Sequence, residues 1–254
     1  MYTAKSMSGL KHGFLTRKGG ESKGVFSSMN LAFNKGDSFE NLHKNRANAL
    51  KELGTPGLPL LLVRQVHGTN IVVADDPWEF APHLLPQADG VITKNPECVL
   101  GVLTADCIPI LMADRENGII GAFHAGWRGA LGGMVEKAVK NMEAQGANKS
   151  NIIAAMGPCI EQDSYEVGSE VKQHFVKNSA RNDKFFKPSF KPKHHLFDMA
   201  GMVHDALSQQ GLKSVERIAE NTYTNEDEFF SCRRAFHRQE PTYGNTLSAI
   251  SLQK

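Results

Sequence analysis

Three short segments carry the side chains best suited to chemistry: Arg64-Gln65-Val66-His67-Gly68, Thr104-Ala105-Asp106-Cys107 and Phe123-His124-Ala125-Gly126-Trp127-Arg128-Gly129. In each, an apolar run stops and a His or Cys follows, flanked by small residues that leave room for a ligand. Two imidazoles and one thiolate suit Zn²⁺, and three protein ligands leave a fourth position open to water or substrate, the pattern of a catalytic rather than a structural zinc. The metal's charge would hold Cys107 as thiolate and lower the pKa of a coordinated water toward about 7. The ligands stand 40 and then 17 residues apart, a spacing that matches no local metal motif, so folding must assemble the group. The same atoms admit a metal-free reading, a cysteine hydrolase with Cys107 as nucleophile, His124 or His67 as base and Asp106 as orienter.

Further candidates surround this trio. The Gly126-Trp127-Arg128-Gly129 turn opens the strongest helical pattern, where free N–H groups and the helix dipole attract an anion and Arg128 adds a charged fork. Equally, the glycines would simply make the turn and Trp127 plug the core. Thr16-Arg17-Lys18-Gly19-Gly20 is a second glycine-rich basic loop. Glu166 reads as a general acid or base, a ribose hydroxyl acceptor or a solvated first-turn carboxylate. Arg233 and Arg234 read as an anion site or a surface pair.

Short apolar or β-branched runs position these residues. Strands are expected over 61–66, 71–74, 90–93, 98–104, 108–113 and 119–123, with two more at 152–156 and 246–252. Leu131, Met134, Val135, Ala138, Val139 and Met142 recur at helical spacing behind the Gly-Trp-Arg-Gly turn. Val167, Val171 and Phe175 suggest a second helix, and Leu196, Met199, Val203 and Leu207 a third that ends at Gly211. A fourth is expected near 40–53. Residues 177–195, polar with Pro188 and Pro192 among lysines, read as a long surface loop. The order mixes α and β without strict βαβ alternation, which favours a layered sandwich over a doubly wound sheet.

Composition bounds the function. With 29 Lys+Arg against 27 Asp+Glu, the formal net charge of +2 argues against a nucleic-acid binder held by bulk electrostatics but leaves room for one small anion site. Cys98, Cys107, Cys159 and Cys232 are far apart and form no C-x-x-C pair, which speaks for a reducing compartment and against a disulfide framework. The first ten residues lack the apolar stretch of a signal peptide, and no run approaches a membrane span. A cytoplasmic protein without membrane partners is expected, as one domain over residues 1–254.

Taken together these segments resemble the YfiH-like family, also called the multicopper polyphenol oxidase or laccase-domain family and regarded as purine nucleoside phosphorylases. The likeness runs in order through His12-Gly13-Phe14, Thr16-Arg17-Lys18-Gly19-Gly20, Ser28-Met29-Asn30-Leu31, Gly36-Asp37, Asn45-Arg46, Gln65-Val66-His67-Gly68 and Ala88-Asp89-Gly90. It continues through Thr104-Ala105-Asp106-Cys107-Ile108-Pro109, His124-Ala125-Gly126-Trp127-Arg128-Gly129, Gly157-Pro158, Tyr165-Glu166-Val167-Gly168 and Phe229-Phe230-Ser231. Departures from the usual pattern fall at Glu161-Gln162, Asn221-Thr222-Tyr223, Cys232 and Asn245, and leave all three metal-ligand motifs whole.

The resemblance implies an α+β fold, a layered α/β/β/α mixed-sheet sandwich in a single domain, with zinc on His67, Cys107 and His124. It implies phosphorolysis of adenosine, inosine, guanosine and methylthioadenosine to base and pentose 1-phosphate, and deamination of adenosine. Purine nucleosides and inorganic phosphate are the partners expected, and Arg46, Gln65, Asp106 and Arg128 are the candidate substrate or phosphate contacts. Copper could replace zinc on the same donors, so laccase-like phenol oxidation is a second reading. A four-copper laccase needs paired H-x-H motifs, however, and none of the ten histidines stands in one. An amidase that edits peptidoglycan precursors and a non-catalytic metal-dependent binding module are the remaining alternatives.

Overall fold

The computed structural model describes residues 1–33, 35–78, 81 and 83–253. Two mixed sheets lie face to face. The first has the order β1-β13-β5-β2, from Lys11–Phe14 (β1), Leu60–Leu61 (β2), Val99–Thr104 (β5) and Thr246–Ser251 (β13). The second has the order β12-β8-β6-β7-β4-β3, from Ile71–Val73 (β3), Gly90–Thr93 (β4), Ile108–Asp114 (β6), Ile119–Ala125 (β7), Ile153–Met156 (β8) and Ser214–Arg217 (β12). The β6–β7 hairpin is antiparallel with Pro109 opposite His124, whereas β3–β4 and β8–β12 pair in parallel.

Side-chain alternation builds the layers, because residues two apart on a strand share a face. Leu100 and Val102 of β5 meet Leu111 and Ala113 of β6 and Ile120 and Ala122 of β7 in a dry core between the sheets. Val99 and Leu103 face the other way, against Ala49, Leu50 and Leu53 of helix Phe39–Leu53 (α1). Ile108, Ile110, Met112 and Phe123 point outward from the second sheet, against Met134, Val135, Ala138 and Met142 of Met134–Ala144 (α3) and Met199, Ala200 and Val203 of Met199–Ser208 (α5). The layer order is therefore α/β/β/α. Among the described residues, no helix is long and apolar enough to cross a membrane.

Several expected elements differ. The strand expected over 61–66 is cut to Leu60–Leu61 (β2), beyond which Arg64 makes only an isolated bridge to Gln87. The helix behind Gly126 is two helices, Trp127–Leu131 (α2) and α3, broken at Gly132 and Gly133. Gly133 adopts φ 77°, and a Cβ on Gly132 would come within 2.9 Å of Thr69 Cγ2, so the break lets the chain pass close to the 67–69 turn. Residues 177–195 form no long loop: a 3₁₀ helix, Ala180–Phe185, leads into Phe186–Pro188 (β10), which pairs with His194–Phe197 (β11), and β11 pairs in turn with Glu166–Gly168 (β9). Val167 and Leu196 thus belong to strands; helix Ser169–Asn178 (α4) and α5 begin just after them. A last short helix, Cys232–His237 (α6), was not marked by any apolar period.

Candidate active site

Strand ends and one tight turn bring the three reactive residues together. Cys107 directly precedes β6, and His124 is the next-to-last residue of its hairpin partner β7. His67 arrives from the loop after β2, in the left-handed region at φ 58°, which a non-glycine residue adopts only where neighbours hold it. Here the N–H groups of Val66, His67 and Gly68 all converge on the Asp89 carboxylate, at 3.2, 2.9 and 2.7 Å. The same carboxylate lies 2.8 Å from His124 Nδ1, and the His124 backbone N–H donates to the Asp89 carbonyl at 2.7 Å. A carboxylate accepts only, so Nδ1 carries a proton and Nε2 is the nitrogen turned to the His67 and Cys107 side, where it could ligate a metal ion.

The donor atoms of His67, Cys107 and His124 all lie within 4.8 Å of one another, with Cys107 Sγ 3.9 Å from His67 Nε2. The two imidazole rings meet edge to face at 4.9 Å. Gly126 makes this packing possible: a Cβ there would come within 3.0 Å of His67 Cδ2 and 3.1 Å of Cys107 Sγ. Burial alone would push the Cys107 thiol up, but the His124 and His67 imidazoles beside it bring it down to about 6. Burial likewise opposes the charged form of His124, and the Cys107 thiolate and Asp89 outweigh it, raising the imidazole to about 9. The donor types and the Nδ1–H held by Asp89 suit a divalent metal ion, whose binding would displace the second imidazole proton of His124.

Asp106 has a different task from the one the sequence suggests. It is buried at φ 86°, and its carboxylate accepts from Thr222 Oγ1 at 2.7 Å, Ser231 Oγ at 3.0 Å and the Arg233 N–H at 2.7 Å. Burial pushes this carboxyl up against the pull of those donors. It pins the Cys107 turn to the segment entering α6; the carboxylate that orients His124 is Asp89, 35 residues before it in the chain. Asp89 stood in the Ala88-Asp89-Gly90 motif of the resemblance, but nothing in its local sequence marks a carboxylate that orients a histidine 35 residues on.

A cleft of about 910 Å³ opens over the three donors. Phe33, Trp127, Tyr165, Phe236 and Tyr243 give it aromatic walls, and Lys35, Arg64, Arg128, Lys191 and Arg233 give it positive charge, set against Glu166 and Glu170. Arg128 is exposed in the cleft with its guanidinium 4.4 Å over the Trp127 ring. Gln65 also lines the cleft, but its amide is engaged at both ends with Leu103, accepting from N and donating to O at 2.8 Å each. It splices the His67 loop to β5. Arg46 is not among the lining residues: it lies on α1 and donates from Nη2 to the Leu60 carbonyl at 3.1 Å, with burial pushing it down to about 10. The expected substrate contact thus lies on α1, outside the residues that line the cleft.

A layered sandwich with a His/Cys/His group on the floor of an aromatic, cation-bearing cleft describes an enzyme acting on a small molecule. Residues 11–253 match the family described as multi-copper polyphenol oxidoreductase laccase, and the chain belongs to that family, the YfiH family of the sequence resemblance. It is 41% identical over 194 residues to the purine nucleoside phosphorylase of Rickettsia conorii, covering 76% of this chain and 78% of that protein. It is 32% identical over 240 residues to adenosine deaminase RL5 from an unknown prokaryotic organism, covering 91% of each. Among solved structures it is similar to YlmD from Geobacillus stearothermophilus, with TM-score 0.87 and 27% identity over 99% of this chain and 94% of that one.

Proposed function

We propose that this protein is a zinc-dependent purine nucleoside phosphorylase, cleaving adenosine, inosine, guanosine and methylthioadenosine with phosphate, and deaminating adenosine at the same site. The observation that carries the reading is the three-donor group on the floor of the cleft, in a family whose relatives are named for these two activities. His67, Cys107 and His124 would hold the zinc, which supplies Lewis acidity at an open fourth position.

The chain's own residues do the rest. Asp89 keeps His124 Nδ1 protonated and its Nε2 turned to the metal position. The aromatic walls offer faces on which a purine stacks and excludes water. Arg128 and the other cleft cations hold phosphate in line with C1′ of the pentose. A phosphate oxygen then bonds to C1′ as the C1′–N9 bond breaks; N9 keeps the electron pair and takes a proton, giving free base and pentose 1-phosphate. In deamination, water adds at C6 of adenosine and ammonia leaves, giving inosine.

Copper would bind the same donors, since Cu²⁺ outcompetes Zn²⁺ at most sites of this kind. Among the described residues, however, this is the one His/Cys/Asp/Glu group found that could hold a metal ion, which leaves a multicopper cluster without ligands. Phenol oxidation would then follow from copper loading. The proposed setting is the cytoplasm, with nucleosides and phosphate as partners and neither nucleic acid nor membrane. The test is elemental analysis of the purified protein together with chromatography of each nucleoside, with and without phosphate. About one zinc per chain and phosphate-dependent base release are expected; zinc-loaded protein that leaves every nucleoside intact would defeat the proposal.

A further inference from the structure

Two adjacent arginines, Arg233 and Arg234, stand in the first turn of α6 just after Cys232, and the structure separates their roles. Arg234 is buried, and its guanidinium is taken up by main-chain carbonyls: Nη1 donates to Thr222 at 2.7 Å and Tyr223 at 2.9 Å, and Nη2 to Phe229 at 2.6 Å. It is a brace for the turn that precedes the helix. Arg233 is half-buried and lines the cleft. Its position is fixed at three points: its N–H donates to Asp106 at 2.7 Å, its Nη1 donates to the Glu166 carbonyl at 2.6 Å, and its guanidinium lies 5.2 Å from the centre of the Tyr165 ring.

That anchoring matters for what remains. Among the described residues, Nε and Nη2 of Arg233 have no hydrogen-bond partner, and no carboxylate is ion-paired with this guanidinium. The other cleft cations are placed differently. Lys35 Nζ sits 3.7 Å over the Tyr243 ring and Arg128 stacks on Trp127 in an exposed position, while Arg64 and Lys191 are exposed. Of the cleft carboxylates, Glu166 is engaged through its side chain with Ser189, and Asp106 with Thr222, Ser231 and the Arg233 backbone N–H. A planar fork held at one edge and open at the other is preorganised for a tetrahedral oxyanion, and little side-chain entropy remains to be lost when one binds. Asp106 links this fork to the metal-donor turn, because it is the neighbour of Cys107 and accepts the Arg233 N–H.

We propose that Arg233 is the residue that binds the phosphate co-substrate, and that Asp106 positions it relative to Cys107. This rests on the phosphorylase reading above. Substitution should leave the Asp106 contact in place, because that hydrogen bond comes from the backbone of residue 233 and any side chain but proline retains it.

The experiment compares wild type, Arg233→Ala and Arg233→Lys in the zinc-loaded full-length protein. Three quantities are read: the phosphate KM for inosine cleavage, the rate of adenosine deamination, which consumes no phosphate, and direct binding of inorganic phosphate by calorimetry. Arg233→Ala should raise the phosphate KM and the phosphate Kd at least tenfold, with Arg233→Lys between it and wild type. Zinc content should stay within twofold, and deamination should fall by less than the phosphate-dependent reaction. A phosphate Kd and KM within twofold of wild type in Arg233→Ala would overturn the assignment. So would a parallel loss of deamination, which would make Arg233 a structural brace like its neighbour. Should the phosphorylase reading itself fail, wild type would release no base from any nucleoside, whereas the binding measurement would still report on Arg233; absence of phosphate binding to wild type would remove the assignment as well.

Discussion

Replacing Asp89 by Asn tests how the metal-donor group is held. The wild-type carboxylate receives four donors, Oδ1 from the His67 N–H and His124 Nδ1, and Oδ2 from the Val66 and Gly68 N–H groups. The residue is fully buried, so no water replaces a lost contact. In the variant an amide oxygen can still serve two of these, but the NH₂ then faces the other two N–H groups, donor against donor. Each lost hydrogen bond to a charged acceptor is worth about 1.5–3 kcal/mol, so the two together set an expected loss of roughly 3–6 kcal/mol before relaxation of the turn. The left-handed His67 should relax first, since the nest of N–H groups around the carboxylate is what keeps it at φ 58°. Zinc affinity should fall about 10- to 100-fold, the usual effect of removing an outer partner of a ligating histidine. The assay is urea unfolding of metal-free protein together with zinc competition against a chromophoric chelator. Metal-free stability within 0.5 kcal/mol of wild type (far below the ~3 kcal/mol expected for two lost charged hydrogen bonds) and unchanged zinc affinity would refute the reasoning.

Other outcomes follow from the same geometry. Gly126→Ala should force a Cβ between His67 and Cys107 and weaken zinc binding by about tenfold or more while leaving the far side of the sandwich folded, read by zinc titration and circular dichroism. Stripping the metal should expose a Cys107 thiol held down to about 6, so iodoacetamide should alkylate it readily at pH 7 and zinc should protect it, read by peptide mass spectrometry; equal labelling with and without zinc would count against it as a ligand. Stability should fall on acidification. The Lys5 and Ser6 N–H groups, against the cost of burial, hold Glu216 below its ordinary value, and the donors around Asp114 do the same there. Depressed folded-state values mean that this stability is fully present above the unfolded carboxylate range, about pH 4, and is lost as pH falls through it toward the folded values, a loss that acid titration followed by fluorescence should reveal.

The donors themselves were legible because each stands where an apolar run ends, and strand ends are where a sheet presents side chains to a ligand. A layered sandwich was legible from the mixed order of strands and helices, and its α/β/β/α form from the family resemblance; the structure supplies the reason, since alternation along β5 and β6 sends neighbouring residues into different cores. What escaped were relations between segments distant in the chain. Asp89 reaches back to 66–68 and forward to His124, and no spacing announces a carboxylate that works by accepting backbone N–H groups. Asp106, beside Cys107, was the natural guess for an orienter, yet its positive φ turns the carboxylate toward Thr222, Ser231 and Arg233. Arg46, a candidate contact from the resemblance, sits on α1 and donates to the Leu60 carbonyl, a placement its local sequence does not announce. In the 177–195 segment, lysines and prolines masked the apolar Phe185 and Phe186, which join Phe175 and the Phe197 just beyond the segment in one buried cluster and convert an apparent loop into a small sheet.

The central claim is that the His67–Cys107–His124 group, loaded with zinc, cleaves purine nucleosides with phosphate. Its most direct test is the release of hypoxanthine and ribose 1-phosphate from inosine, compared among zinc-reconstituted wild type, chelator-stripped wild type and zinc-exposed Cys107→Ala. Product should form only in the first, only with phosphate present, and in equal amounts of base and sugar phosphate. Equal turnover in the stripped or Cys107→Ala protein, or none in the zinc-loaded wild type, would contradict the claim.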